Sequence, residues 1–207
     1  MPESDRDLVK LVTRGDLKSF GVLVDRHKGR AMTLAVRMLK NRQEAEEAVQ
    51  DAFVRAYHSL SAFEGRSSFS TWFYRIVYNV CSTALRKRRL DEHSSIEARA
   101  ESGLPEPEAQ DALPDALVES NELGTFITKA MEALPPIYAA VVSLFFLQER
   151  SYEEIVEITG LPLATVKIRL FRARTMLRGE ILKQLGTTAS SPGPITTKSA
   201  AIQGTAR

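Results

Sequence analysis

The chain has 207 residues, the length of one large domain or two small ones, and 43% of them are apolar, which excludes general disorder. Its net charge is only +2, too small by itself to assign a partner. Its single cysteine excludes an internal disulfide or a cysteine-rich metal site, and no apolar run approaches the roughly 20 residues of a membrane span.

Residues 1–10 are charged and lack an apolar h-region, so no secretory signal is expected. A reducing, cytoplasmic setting follows as the default. Ser4 can cap a first helix with Leu8, Leu11 and Val12 on one face, and Gly15 ends it. A long helix is predicted over 16–40, with Phe20, Leu23, Val24, Ala31, Leu34, Ala35 and Met38 at three-four spacing. Asn41 breaks it. The next, over 43–60, turns Ala45, Ala48, Val49, Ala52, Phe53 and Ala56 inward. Residues 61–68 (SAFEGRSS) carry turn chemistry. A further helix over 69–90 ends in the run Arg86-Lys87-Arg88-Arg89.

Charge divides the chain. Residues 1–90 hold 17 Lys/Arg against 10 Asp/Glu, and 91–118 hold one Arg against eight acids. Residues 119–186 balance at eight against eight. Pro105, Pro107 and Pro114 sit among the acids of 91–118, which favours an extended linker over a packed helix. Helical periodicity returns over 119–134, and Pro135-Pro136 breaks it. Residues 137–147 form a short, very apolar helix at the centre of a second core. Two more helices are joined by Thr159-Gly160-Leu161-Pro162. Residues 187–207, rich in Ser, Thr, Gly, Pro and Ala, read as a disordered tail. The expected fold is therefore all-α: a basic helical domain over 1–90, a flexible acidic linker over 91–118, and a second small helical domain over 119–186.

The C-terminal pair of helices carries a sharp signal. Ser151-Tyr152-Glu153-Glu154 is a capping box, with Ile155, Val156 and Ile158 on the buried side of the first helix. Gly160 permits a positive φ in the turn, and Pro162 fits the first turn of the second helix. Leu163, Val166, Leu170, Ala173 and Leu177 make the inward stripe there. This is the helix-turn-helix layout. Outside the stripe lie Thr165, Lys167, Ile168, Arg169, Phe171, Arg172 and Arg174, and residues 163–178 contain five Lys/Arg and no acid. A solvated helix mixes signs. The dipole accounts for cations at the C-terminal end but opposes Lys167 and Arg169 near the start. Ile168 and Phe171 among cations suit thymine methyl contacts, so this face is expected to read duplex DNA; Phe171 taken alone fits the core equally well.

The helix over 69–90 has two stripes. Phe69, Trp72, Phe73, Ile76, Val77 and Val80 read as core. The opposite side presents Thr71, Tyr74, Arg75, Tyr78, Asn79, Ser82 and Arg86, a set that suits unstacked bases: rings stack, cations hold phosphates, an amide reads a base edge. Ordinary interfacial tyrosines are the other explanation of that stripe. The preceding loop, with Phe63, Glu64, Gly65 and Arg66, can line a pocket for a base swung out of the stack.

Taken together, residues 47–57 (EAVQDAFVRAY), Phe63, residues 69–76 (FSTWFYRI) with Asn79, Leu134-Pro135, residues 151–155 (SYEEI) and residues 165–174 (TVKIRLFRAR) resemble the extracytoplasmic-function sigma factors of bacterial RNA polymerase. The resemblance spans about residues 5–185. Pro136 departs from the acidic or polar residue expected after Leu-Pro, and the tail beyond Gly186 is unusually long. The resemblance implies that Gln50, Asp51, Phe53 and Arg55 contact the coiled coil of the largest polymerase subunit. It implies that Phe63, Glu64, Gly65, Arg66, Tyr74, Arg75, Tyr78 and Asn79 engage the melted −10 element. Thr165, Lys167, Ile168, Arg169, Phe171 and Arg172 would read the −35 element. It also implies an acidic linker threaded toward the RNA exit path, an anti-sigma factor as partner, and a stress or envelope response.

A conventional helix-turn-helix regulator explains 151–178 equally well but leaves the basic, aromatic stripe of the first domain without a role. An adaptor that binds only protein leaves both basic faces unexplained. An enzyme is not expected: His27, His58 and His93 lack ligand-like spacing, and there is neither a glycine-rich phosphate loop nor a nucleophile–base pair. No cofactor and no metal is expected.

Overall fold

A computed structural model describes residues 4–93 and 120–184. The acidic stretch after residue 93 and the tail lie outside the described residues. Among the described residues eight α-helices are formed: α1 (Asp5–Thr13), α2 (Leu17–Leu39), α3 (Arg42–Ser59), α4 (Phe69–His93), α5 (Ser120–Ala133), α6 (Pro136–Val142), α7 (Tyr152–Thr159) and α8 (Leu163–Gln184). No strand occurs among the described residues.

Local chemistry sets the helix ends. The Ser4 hydroxyl accepts from the Asp7 amide, Asp16 from Lys18, and Asn41 from Glu44, so each opening turn gains a partner for an orphan N–H. Asn41 is thus the start of α3; α2 ends at Lys40, which adopts a left-handed conformation. Pro136 occupies the first turn of α6, where its missing N–H loses no bond. The apolar helix expected over 137–147 is instead α6 followed by a π-helical segment, Ser143–Leu147. Its far end faces solvent, with Phe146 and Leu147 about half exposed. Helix α4 runs to His93, three residues into the stretch expected to be linker.

The first unit, α1 to α4, packs around Leu23, Leu34, Phe73 and Val77, all fully buried. Helices α2, α3 and α4 contact one another pairwise, and α1 lies on α2. Every inward position expected of α3 is buried. Phe53 stacks on Phe73 with ring centroids 4.4 Å apart, and Phe69 lies parallel to Phe73 at 6.0 Å. Such pairs add to the burial itself. Trp72 and Ile76, expected in the core, are half-buried at its edge. Cys81 is buried, and burial pushes its thiol up to about 12, so it stays protonated and acts as a small apolar group. The second unit centres on Tyr138, Ala139, Val141 and Leu144 of α6 and its continuation, with Ile155, Ile158, Val166 and Ala173 around them. Leu163, expected inward, is 40% exposed at the first residue of α8.

One buried polar pair ties α1 to α2. His27 is 7% exposed and its Nε2 lies 2.7 Å from Asp5 Oδ2. The rings of Phe69 and Phe73 stand 5.3 and 6.2 Å away. Burial holds the imidazole below its ordinary value of 6.5, outweighing the Asp5 bond that acts to raise it. The folded chain therefore binds this proton less readily than the unfolded chain. Stability from this site is complete above the unfolded value and falls as pH drops below about 6.5. Denaturant midpoints measured from about pH 8 to about pH 5 are expected to decline, and the decline is expected to flatten in His27→Gln.

Candidate nucleic-acid interface

Helices α7 and α8 meet as a helix-turn-helix. The Ser151 hydroxyl accepts from the Glu154 amide at 3.1 Å and the Glu154 carboxylate accepts from the Ser151 amide at 2.9 Å, completing the capping box. Burial acts to raise the Glu154 pKa. The Ser151 amide, Arg150 and Thr71 together hold it below the ordinary value. Gly160 ends α7 at φ +70°, a conformation a side chain disfavours. Val166, Leu170 and Ala173 anchor α8 inward. The opposite face presents Ile168 at 51% and Phe171 at 43% exposure, so Phe171 is not a core residue. Lys167 is exposed, while Thr165, Arg169 and Arg172 are half-buried along the same surface. Lys167 Nζ stands 5.9 Å from the Tyr152 ring centroid, which draws it to the α7 side of the helix. Two exposed apolar side chains flanked by cations form a face able to meet base edges and phosphates together.

In the first unit, the loop before α4 closes a small pocket. Ala62, Phe63, Glu64, Gly65, Arg66, Ser67 and Trp72 line about 180 Å³, joined by Glu157 from α7. Phe63 packs on Trp72 with centroids 5.0 Å apart. Gly65 takes φ +69°, which turns the loop sharply. Arg66 pairs with Glu64 at 2.5 Å in the open. The pocket has an aromatic wall and an exposed Arg66–Glu64 ion pair at its mouth, features that fit a planar base.

The stripe expected to be open on α4 is only partly so. Arg75 and Asn79 are exposed and Tyr78 is half-buried. Tyr74 is fully buried and Thr71 is 1% exposed, a correction to the sequence expectation. The cause is the second unit: α7 packs against α4. The Arg150 guanidinium lies 5.2 Å from the Tyr74 ring centroid, and the Thr71 hydroxyl donates to Glu154 Oε1 at 3.0 Å. Periodicity within one helix cannot foresee such a cover. Within the basic run at the end of α4, Arg88 is anchored: it donates to the Leu39 carbonyl at 3.2 Å and pairs with Glu44, while Arg86, Lys87 and Arg89 are exposed.

On α3, Gln50 is exposed, and Arg55 Nε donates to Asp51 Oδ1 at 3.0 Å on the same surface. Phe53 is not on that surface; it is 8% exposed and stacked in the core, so it supports the face from beneath. Sequence reasoning missed an apolar patch beside these residues. Leu17 (63% exposed), Val54 (55%) and Tyr57 (40%) surround a shallow depression with Phe20 and His58. Val54 and Tyr57 interrupt the polar face of α3, a signal the inward stripe had overshadowed. Among the described residues no cluster of His, Cys, Asp or Glu is placed to hold a metal, and no helix is long and apolar enough to cross a membrane.

The two units coincide with two family matches. Sigma-70 region 2 matches residues 23–90, and sigma-70 region 4 matches residues 127–177. The chain is 37% identical over 176 residues to the ECF RNA polymerase sigma factor SigW of Bacillus subtilis (strain 168), covering 84% of this chain and 94% of that protein. It is 34% identical over 183 residues to the ECF RNA polymerase sigma-E factor of Escherichia coli (strain K12), covering 86% and 94%. In fold it is similar to CnrH, solved in complex with the cytosolic domain of CnrY, with a TM-score of 0.58, 23% identity and coverage of 86% and 96%. It is likewise similar to the sigma factor RpoE of Bartonella quintana, solved with the anti-sigma factor NepR, with a TM-score of 0.58, 24% identity and coverage of 81% and 98%. The first unit is thus a sigma region 2 and the second a sigma region 4. The chain belongs to the extracytoplasmic-function (ECF) RNA polymerase sigma factors. As such it binds RNA polymerase core and directs initiation at promoters. The reading as a conventional regulator that needs no polymerase is not favoured.

Proposed function

We propose a division of labour among three faces. Gln50, Asp51 and Arg55, with the neighbouring apolar patch, dock on the coiled coil of the largest polymerase subunit, and Phe53 holds their helix in place. Phe63, Glu64, Gly65, Arg66, Arg75, Tyr78 and Asn79, with Tyr74 once it is uncovered, take up unpaired bases of the −10 element. Thr165, Lys167, Ile168, Arg169, Phe171 and Arg172 read the −35 element in the major groove. The observation that carries this reading is the α8 face, where Ile168 and Phe171 stand exposed among cations on a helix held by a complete capping box. The chain works in the cytoplasm, catalyses no reaction itself, answers a stress or envelope signal, and is held in check by an anti-sigma factor. The acidic stretch between the units follows a basic channel of polymerase, where one polyanion yields to another, the RNA.

The −10 assignment has a direct test. Asn79→Ala removes an exposed amide that meets bases only after melting. Holoenzyme carrying it is expected to bind the −35 duplex normally and to show weakened permanganate reactivity around the start site. Normal reactivity would make Asn79 a structural residue only.

A further inference from the structure

We propose that Tyr152 is a positioning residue for DNA binding: its ring, braced by Phe145, sets the Lys167 ammonium toward a phosphate beside the −35 bases. The proposal rests on the reading of α8 as the −35 reader. Lys167 is exposed, and no carboxylate pairs with it among the described residues. The dipole of α8 disfavours a cation so near the start of the helix. What meets the cation is a ring: Lys167 Nζ stands over Tyr152, 5.9 Å from the centroid. The negative face of an aromatic ring attracts an ammonium at such a distance. A lysine stem is long and freely rotating, and fixing it against a bound partner costs entropy. A ring that orients the stem in the free chain removes part of that cost. Lys167 also lies about 100° around α8 from Ile168, so on the ring's side it faces the flank of the groove, where phosphates run.

The ring is itself held in place. Ser151 caps α7 and makes Tyr152 its first residue. Tyr152 is half-buried, and Phe145 stacks on it with centroids 5.1 Å apart and planes at 25°. Phe146 meets Phe145 edge-on at 4.9 Å. Both phenylalanines belong to the π-helical segment Ser143–Leu147, where the Gln148 amide donates to the Ser143 carbonyl at 3.1 Å. Such wide turns are uncommon and recur at functional sites. Glu149 follows at φ +53°, a left-handed conformation that a side chain disfavours. The Arg150 amide then donates back to the Leu144 carbonyl at 3.0 Å. The chain thus doubles back, and α7 starts against Phe145. Two costly backbone features serve one result, a ring stack beside the recognition helix. The core of this unit does not call for it. Leu144, Ile155, Ile158 and Val166 already fill the interior, whereas Phe145 and Tyr152 lie at its edge and Lys167 in solvent.

Tyr152→Phe keeps the ring and loses the hydroxyl, whereas Tyr152→Leu keeps an apolar contact with Phe145 and loses the π face. Each is measured in holoenzyme binding to a −35 duplex at several salt concentrations, with Lys167 present and in a Lys167→Ala background. Tyr152→Leu is expected to weaken binding about two- to tenfold, evenly across −35 sequences, and to lower the salt slope toward that of Lys167→Ala. Tyr152→Phe is expected to match the parent. In the Lys167→Ala background Tyr152→Leu is expected to have no further effect, since its action passes through the lysine. Proton magnetic resonance of the free chain supplies a signature. The Lys167 ε-methylene protons, shielded by the ring, are expected upfield of those of other exposed lysines in the parent and in Tyr152→Phe, and at the ordinary position in Tyr152→Leu. If Tyr152→Leu loses helicity by circular dichroism, Tyr152→Met carries the cycle. An equal loss in both backgrounds overturns the proposal, because the ring then supports only the fold. So does unchanged or tighter binding by a folded variant that lacks the ring, or an unshifted Lys167 methylene in the parent. Failure of the −35 reading shows differently, as Lys167→Ala holoenzyme whose affinity and salt slope equal the parent's, and that result withdraws the proposal with it.

Discussion

Phe73→Ala is expected to destabilise region 2 by about 3–5 kcal/mol, the cost of removing a large ring from a close-packed core that cannot collapse around the void. Phe73 has no exposed surface, stacks between Phe53 and Phe69, and has His27 and Tyr74 at ring distances of 6.2 and 5.8 Å. Every helix of region 2 except α1 contributes a ring to this group. Against a total stability of about 5–15 kcal/mol, the loss leaves the unit close to unfolding. Denaturant titration followed by far-ultraviolet circular dichroism measures it. A change below about 1 kcal/mol would mean that the ring stack is not the centre of the fold.

The second large effect is on promoter choice. Ile168 and Phe171 are the exposed apolar side chains on the cationic face of α8. Replacing either with alanine is expected to change which −35 sequence holoenzyme prefers, by about 1–3 kcal/mol at the contacted base pair. Lys167 behaves differently. It lies about 140° around the helix from Arg172 and is drawn toward Tyr152, away from the Thr165–Ile168–Arg172 line. Lys167→Ala is expected to weaken all sequences evenly and to reduce the salt slope by about one unit, as one lost phosphate contact does. Binding to a −35 variant library at several salt concentrations separates the two behaviours. Equal scaling of every sequence by the Ile168 and Phe171 variants would remove α8 as the reader.

What the sequence made legible was local. The Ser151–Glu154 capping box, the turn at Gly160 and the inward stripe of α3 depend on residues within one or two turns, and all appear as expected. The exposed Ile168 was legible because α8 is anchored by its own Val166 and Ala173, whereas spacing fitted Phe171 to core and surface equally and only the packing decides it. Long-range packing was not legible. Tyr74 lies on the side of α4 that periodicity assigns to solvent, and contacts far along the chain, with His27 of α2 and Arg150 of the second unit, bury it. Phe53, which spacing turns inward and resemblance assigns to a partner contact, is buried and stacked in its own core, as the spacing alone required. The Asp5–His27 pair escaped notice because spacing arguments seek ligands, whereas this histidine is a neutral core residue with one carboxylate partner.

The most direct test of the whole account is transcription from a randomised promoter library by purified polymerase core, with and without this chain. The account predicts that core alone gives no promoter-specific transcripts. Core with the chain is predicted to initiate at templates sharing one −35 and one −10 motif, with the −35 preference shifting in Ile168→Ala and the −10 dependence failing in Asn79→Ala. Sequence-specific duplex binding by the chain without core, and no core-dependent initiation, would contradict it.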